Sequence, residues 1–278
     1  MPRFVRYACF ISLLFPGSLV FSQVEVLEDL IPDTELQVYR HYSGFGQIHG
    51  NGFGFGFRYG RIKSIEKSNF QEFEFLQLKH PKAQRQSGWG AHLVGNSRRF
   101  IWGGVNQLFA LRYGLGMQRT INEKPYWGGV QVGYTLAGGA VLGLAIPQYL
   151  NILHLKEPLP PPGSNENPWE VRAERYDPNN HKHNELSYIN GMGPMFKGLG
   201  HLRPYPGVYG KFGFNFEFGK YLERISAVEV GVMIDVFPIP VPMMAISCPD
   251  CNNDTGLKTD QNFFFANFYL AYHFGGRK

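Results

Sequence analysis

The chain is poor in charge, in cysteine and in long apolar runs. Charged residues make up only 18% of its 278 positions, which fits neither a solvated helical protein nor a disordered one. The net charge of +5 is too mild to argue for nucleic acid as a partner. Cysteine occurs three times, too rarely for a disulfide scaffold. The most apolar internal stretch, 228–246, is interrupted by Glu229, Asp235, Pro238, Pro240 and Pro242. A membrane-crossing helix needs ~20 unbroken apolar residues, so a membrane form of this chain has to cross with strands closed on themselves.

What the sequence does have is glycine (34 residues) and aromatics (15%), a turn-rich, β-rich signature. Residues 1–22 read as a secretory signal peptide: Arg3 and Arg6, an apolar core over 7–15, then Val20-Phe21-Ser22 with cleavage expected near Ser22. Its removal takes two arginines and no acid, so the charge falls from +5 to +3. Cys248 and Cys251 are then the remaining cysteines, and in an exported chain they are expected to form a local disulfide.

The clearest pattern lies at 208–218, where Phe212, Phe214, Phe216 and Phe218 alternate with Lys211, Gly213, Asn215 and Glu217. Successive strand residues face opposite sides. One side is therefore aromatic and the other polar, as in a strand between lipid and a wet lumen. The same alternation appears in Phe53, Phe55, Phe57 and Tyr59, in Phe73 and Phe75, in Phe109, Leu111, Tyr113 and Leu115, in Val130, Val132 and Tyr134, in Val228 to Val236, and in Phe264, Phe268, Leu270, Tyr272 and Phe274. A weak first strand is placed over 36–42, with Ser43-Gly44-Phe45-Gly46 as a turn. Links near 64–67, 122–125 and 220–224 are short, whereas 81–100, 147–206 and 247–261 are long. With about eight strands, short and long links fall on opposite sides, as periplasmic turns and surface loops do. The segment 147–206 shows no strand pattern. Asn167-Pro168-Trp169-Glu170 predicts a short helix running to Tyr176, and 189–200 is expected to pack back over the barrel mouth.

These features resemble the outer-membrane β-barrel proteins of Gram-negative bacteria. The resemblance rests on the signal peptide, the alternating strands, the loop asymmetry and the closing Asn267-Phe268-Tyr269-Leu270-Ala271-Tyr272-His273-Phe274. It implies an all-β fold, a transmembrane antiparallel barrel over 23–278 with 147–206 as a loop insertion. It also implies that the last strand signals insertion to the assembly machinery.

The inward positions carry Arg58, Arg112 and Lys211 against Glu72, Glu74, Glu217, Glu229 and Asp235. In an eight-stranded barrel the interior is filled by side chains, so these charges are expected to form a pairing network that plugs the lumen. Catalytic residues, cofactor and metal are not expected. His181 and His183, beside Asp177, Glu185 and Ser187, carry the competing readings of a metal site or a lipid-acting base and nucleophile. Asp250, Asn252 and Asp254 resemble a calcium loop, but Gln261 stands where a bidentate glutamate belongs. Outer-membrane lipid is the expected partner, with Lys82, Arg85, Arg98 and Arg99 near anionic headgroups. Other envelope proteins are the second, through Trp169, Tyr176, Tyr188, Met192, Met195 and Phe196. The expected role is non-enzymatic: structural, assembly-accessory or surface-binding. The alternatives are a barrel enzyme acting on lipid, a narrow solute channel, or a secreted soluble β-sandwich.

Overall fold

A computed structural model describes residues 40–64, 66–95, 98–122, 129–161, 166–218, 224–247 and 257–278. The proposed signal peptide, Cys248, Cys251 and the calcium-like loop lie outside the described residues.

Eight strands close into an antiparallel barrel: β1 (Arg40–His49), β2 (Gly52–Ile62), β3 (Lys67–Leu78), β4 (Asn106–Asn122), β5 (Gln131–Pro147), β6 (Arg203–Glu217), β7 (Arg224–Ser247) and β8 (Leu257–Arg277). Each strand pairs with its neighbours in sequence, and β1 closes the ring on β8 from His41↔Arg277 to His49↔Tyr269. Closure removes the unpaired edges that an open sheet would leave. It also corrects the expected turn at 43–46. Ser43 to Gly46 lie in mid-strand, paired to β8 on one side and β2 on the other. Two partners outweigh the weak strand preference of glycine, and the bare Gly44 lies against the ring of Phe274 opposite it.

The alternation sorts the side chains as the sequence implies. Tyr42, Phe53, Phe57, Phe73, Tyr113, Leu136, Phe212, Val232 and Phe268, drawn from all eight strands, point outward and are exposed. Lys211, Asn215, Glu229, Asp235 and Tyr269 point inward and are buried. Towards one end the interior turns apolar, where Leu76, Leu78, Leu108, Val141, Phe237 and Phe265 share a cluster.

The long links rise from that end. The turn between β1 and β2 is tight there, only Gly50 and Asn51. The β3–β4 and β5–β6 links, together with an extension of β7 and β8, build a cap. Tyr149–Leu155, Trp169–Arg175 and Ile189–Met192 form a three-stranded sheet. Arg85–Gln86 pairs with Phe100–Ile101, and the short helices are α1 (Ala91–Val94), α2 (His181–Asn184) and α3 (Met195–Leu199). Two expectations are overturned here. The segment 147–206 does contain strands, and 169–175 is extended rather than helical. Asn167 Oδ1 does accept from Trp169 N–H, as a capping residue would. However, Trp169 to Arg175 then pairs residue for residue with Leu155 to Tyr149, and sheet pairing wins over a local helix start. The cap has its own core of Phe100, Leu150, Ile152, Tyr176, Ile189 and Ala245.

The β7 prolines shape the junction. Register with β8 slips between Val236↔Phe264 and Val241↔Asn262, where Pro238 and Pro240 fall. Proline has no N–H to give a ladder, so it sits at a bulge. Beyond it, Val105 N–H donates to Met243 O and Ala245 N–H to Gly103 O. Gly103 reaches this position with φ +71°, a left-handed conformation that costs glycine little.

Candidate functional site

The inward charges meet in the barrel. Arg58 and Glu72 are register partners on β2 and β3, and Glu74 and Arg112 are partners on β3 and β4. The remaining members come from β6 and β7 on the far wall. Arg58 Nη1 donates to Glu229 Oε2 at 2.9 Å and its Nη2 to Glu72 Oε2 at 3.0 Å. Arg112 donates through Nη1 to Glu74 Oε2 at 3.0 Å, and grips both oxygens of Asp235 through Nε and Nη2. Lys211 joins the two halves: its Nζ is 2.8 Å from Glu74 Oε1, 3.5 Å from Glu229 Oε1 and 3.7 Å from Glu72 Oε2. Three cations thus face four carboxylates, all buried. Burial of such charges is tolerated only when each is paired and hydrogen-bonded.

Residues of the same inward parity complete the network, although charge alone does not pick them out. Tyr209 and Tyr269 donate phenolic hydrogen bonds to Glu72 Oε1 (3.2 Å) and Glu229 Oε1 (2.7 Å). The Arg58 guanidinium lies 4.1 Å from the Phe70 ring centroid, and Lys211 Nζ lies 4.9 Å from that of Phe45. His273 Nε2 stands 3.4 Å from Glu229 Oε2. Glu217 stands apart: it accepts from Arg277 at 2.6 Å, and no ion pair of 4 Å or less among the described residues ties it to the other seven.

This arrangement fixes strands. Each charged group has a partner of opposite sign, although four carboxylates face three cations and Arg58 Nε has no hydrogen-bond partner, and Leu76, Leu108, Phe237 and Phe265 form an apolar layer on the cap side. The ion pairs link β2, β3, β4, β6 and β7 across the interior.

The six loop residues read as a binding surface separate into two sets. Tyr176 is buried in the cap core, and Tyr188 and Met192 pack on it. Trp169 is half-buried on the cap sheet. Met195 and Phe196 project from α3, Phe196 being 83% exposed. Near Trp169 the cap presents Leu93 and Leu155, both exposed, and Trp89, just before the helix that carries Leu93, is exposed as well. Leu155 is the register partner of Trp169, and Leu93 O accepts from Asn167 Nδ2, so these residues are neighbours.

The histidines are structural in their contacts. His183 Nδ1 accepts from Asp177 N–H, which leaves Nε2–H to donate to Glu174 Oε2 at 3.0 Å. His154 Nε2 lies 2.8 Å from the other Glu174 oxygen. Partial burial opposes the charge of Glu174, but the His183 hydrogen bond and the nearby His154 outweigh it and hold the carboxyl below its ordinary range. Burial, reinforced by the charge of Asp177, pushes the Tyr176 phenol up to about 12. Ser187 Oγ donates to Glu185 Oε1, and exposed His181 also leans on Glu185. The serine and the histidines are not brought together as nucleophile and base. Among the described residues no group of three or more His, Cys, Asp or Glu is placed to hold a metal ion, and no helix is long and apolar enough to cross a membrane.

No family model matches the chain, and no curated protein matches it. Solved structures do. The attachment invasion locus protein Ail of Yersinia pestis aligns at 8% identity over 87% of this chain and 96% of its own, with a TM-score of 0.35. A major outer membrane protein of Thermus thermophilus aligns at 10% identity over 86% and 99%, TM-score 0.42. The N-terminal β-barrel domain of Pseudomonas aeruginosa OprF aligns at 8% over 87% and 98%, TM-score 0.31. The class itself is defined by the ring of strands and its outward belt: a small closed antiparallel β-barrel with an apolar exterior.

Proposed function

We propose that this chain spans an outer membrane as a sealed barrel and acts there as a surface platform, its cap binding another envelope protein or an external one. The observation that carries the reading is the pairing of an apolar outer belt on all eight strands with a lumen filled by paired charge and apolar side chains. Soluble monomers rarely expose contiguous apolar patches beyond a few hundred Å², whereas lipid requires such a belt. A filled interior does not favour a solute path. The cap supports the binding role because it has its own core and still leaves Trp89, Leu93 and Leu155 exposed. Aromatic and large apolar side chains of this kind are enriched in interface cores. The export signal ending near Ser22 and the Cys248–Cys251 disulfide belong to the same reading. A mature N-terminus at Gln23 and two alkylation-resistant cysteines are the expected mass-spectrometric results.

The test is a comparison of wild type with Trp89→Ala/Leu93→Ser/Leu155→Ser, each purified from native membranes. The variant is expected to keep its heat-modifiable gel mobility and to lose its co-purifying partner. Identical partner recovery from both would overturn the binding role.

A further inference from the structure

Where β3 ends at Leu78, the chain swings away and returns only at Asn106, leaving a cleft of about 120 Å³ at the barrel rim under the cap. Its lining combines two chemistries. Lys79, Arg85 and Arg99 supply positive charge, while Met192, Met195 and Met244 supply an apolar, adaptable surface. Among the described residues none of these three cations has a carboxylate within 4 Å, although His80 beside them takes Asp260 at 3.2 Å. The cleft also includes Gln77 and Gln107. Both share the outward parity of Phe75 and Phe109, whose rings stack below them with centroids 5.6 Å apart. Gln77 and Gln107 thus border the cleft from the outer wall of the barrel, while Leu78 and Met243 of the interior cluster line it from within.

We propose that this cleft seats the phosphate of an anionic outer-leaflet lipid, its first acyl carbons lying against the methionines and the chain continuing down the Phe75–Phe109 wall. An apolar cavity of about 150 Å³ takes a molecule the size of benzene, so this one admits a short alkyl segment and not a whole chain. Arginine suits phosphate because its planar fork can donate two hydrogen bonds at once. Basic clefts at a membrane interface recognise headgroups by this chemistry. The inference rests on the membrane-spanning reading, and extraction is scored first: a chain recovered without detergent defeats that reading before any lipid is added.

The test uses the full chain, delipidated in neutral detergent and titrated separately with phosphatidylglycerol, phosphatidylcholine and inorganic phosphate, with native mass spectrometry counting bound molecules. One phosphatidylglycerol per chain is expected, retained at least tenfold better than either alternative. Arg85→Ala/Arg99→Ala should lower that retention at least tenfold. Met195→Trp, which fills the apolar end and leaves the charge intact, should also weaken it. Arg61→Ala, an exposed charge near the opposite rim, should not. Gel mobility confirms that each variant is folded. Equal retention of both lipids, equal binding of free phosphate, or an unaffected double variant would overturn the proposal.

Discussion

Arg58 on β2 and Glu229 on β7 lie 171 positions apart in sequence, yet Nη1 and Oε2 are 2.9 Å apart inside the barrel. The pair spans the lumen between strands that do not touch in the sheet. It therefore couples the two walls in a way that backbone ladders cannot.

Removing Glu229 leaves Arg58 with Glu72 as its one remaining carboxylate and takes the acceptor from the buried Tyr269 hydroxyl. Glu229→Ala is expected to cost about 3–5 kcal/mol, read as a lower urea midpoint for loss of the fast-migrating folded band. Replacing both, Arg58→Met/Glu229→Met, should restore part of that loss. A double variant no more stable than Glu229→Ala would show that the pair is not what couples the walls.

Close packing makes a second demand. Gly114 on β4 lies against the hydroxyl of Tyr209, the phenol that donates to Glu72. Gly114→Val has to displace that ring, and overpacking of this kind costs about 1–3 kcal/mol. The same urea assay should show it, and Tyr209→Phe/Gly114→Val should be less destabilised than Gly114→Val plus Tyr209→Phe taken singly and added.

The cap should fail on its own. Ile152 is fully buried in the cap core, and truncating such a side chain costs about 2–5 kcal/mol. Ile152→Ala is expected to speed protease cleavage within 149–202, while the barrel keeps its heat-modifiable mobility. Loss of both together would mean that the cap and barrel form one cooperative unit.

The cap should also have two pH edges. Glu174 has a lowered folded pKa, so its contribution is present above the ordinary carboxylate range and is lost as pH falls through the lowered value. Tyr176 is raised to about 12, so its contribution is present below the ordinary phenol value near 10 and is lost as pH rises towards 12. Protease sensitivity of the cap should rise at both extremes. Glu174→Gln should flatten the acid edge, and Tyr176→Phe the alkaline one.

Most of the barrel was legible because a lipid-facing strand has a strict two-residue period, and Phe212 to Phe218 or Val228 to Val236 display it without interruption. The lumen charges followed from the same parity. Distances across the barrel did not, because Lys211 meets Glu74 only after closure brings β6 opposite β3. The misreadings fell where pairing overrode local preference. Gly44 and Gly46 resemble a turn in isolation but are held extended from both sides. Trp169 to Arg175 follows a helix-like start but completes a cap sheet whose strands are too short to declare themselves. Tyr176 belongs to the core of the cap, with Tyr188 and Met192 partly buried against it; composition alone does not separate a small core from the surface around it.

Nitroxide scanning of β6 and β8 in native membranes, with Cys248 and Cys251 replaced by serine, tests the account most directly. Labels at Phe212, Phe214, Phe268 and Leu270 should be reached by oxygen and not by a water-soluble nickel complex, while labels at Asn215 and Asn267 should be shielded from both. Nickel access at the four outward positions, in a chain that stays folded without lipid or detergent, would contradict it.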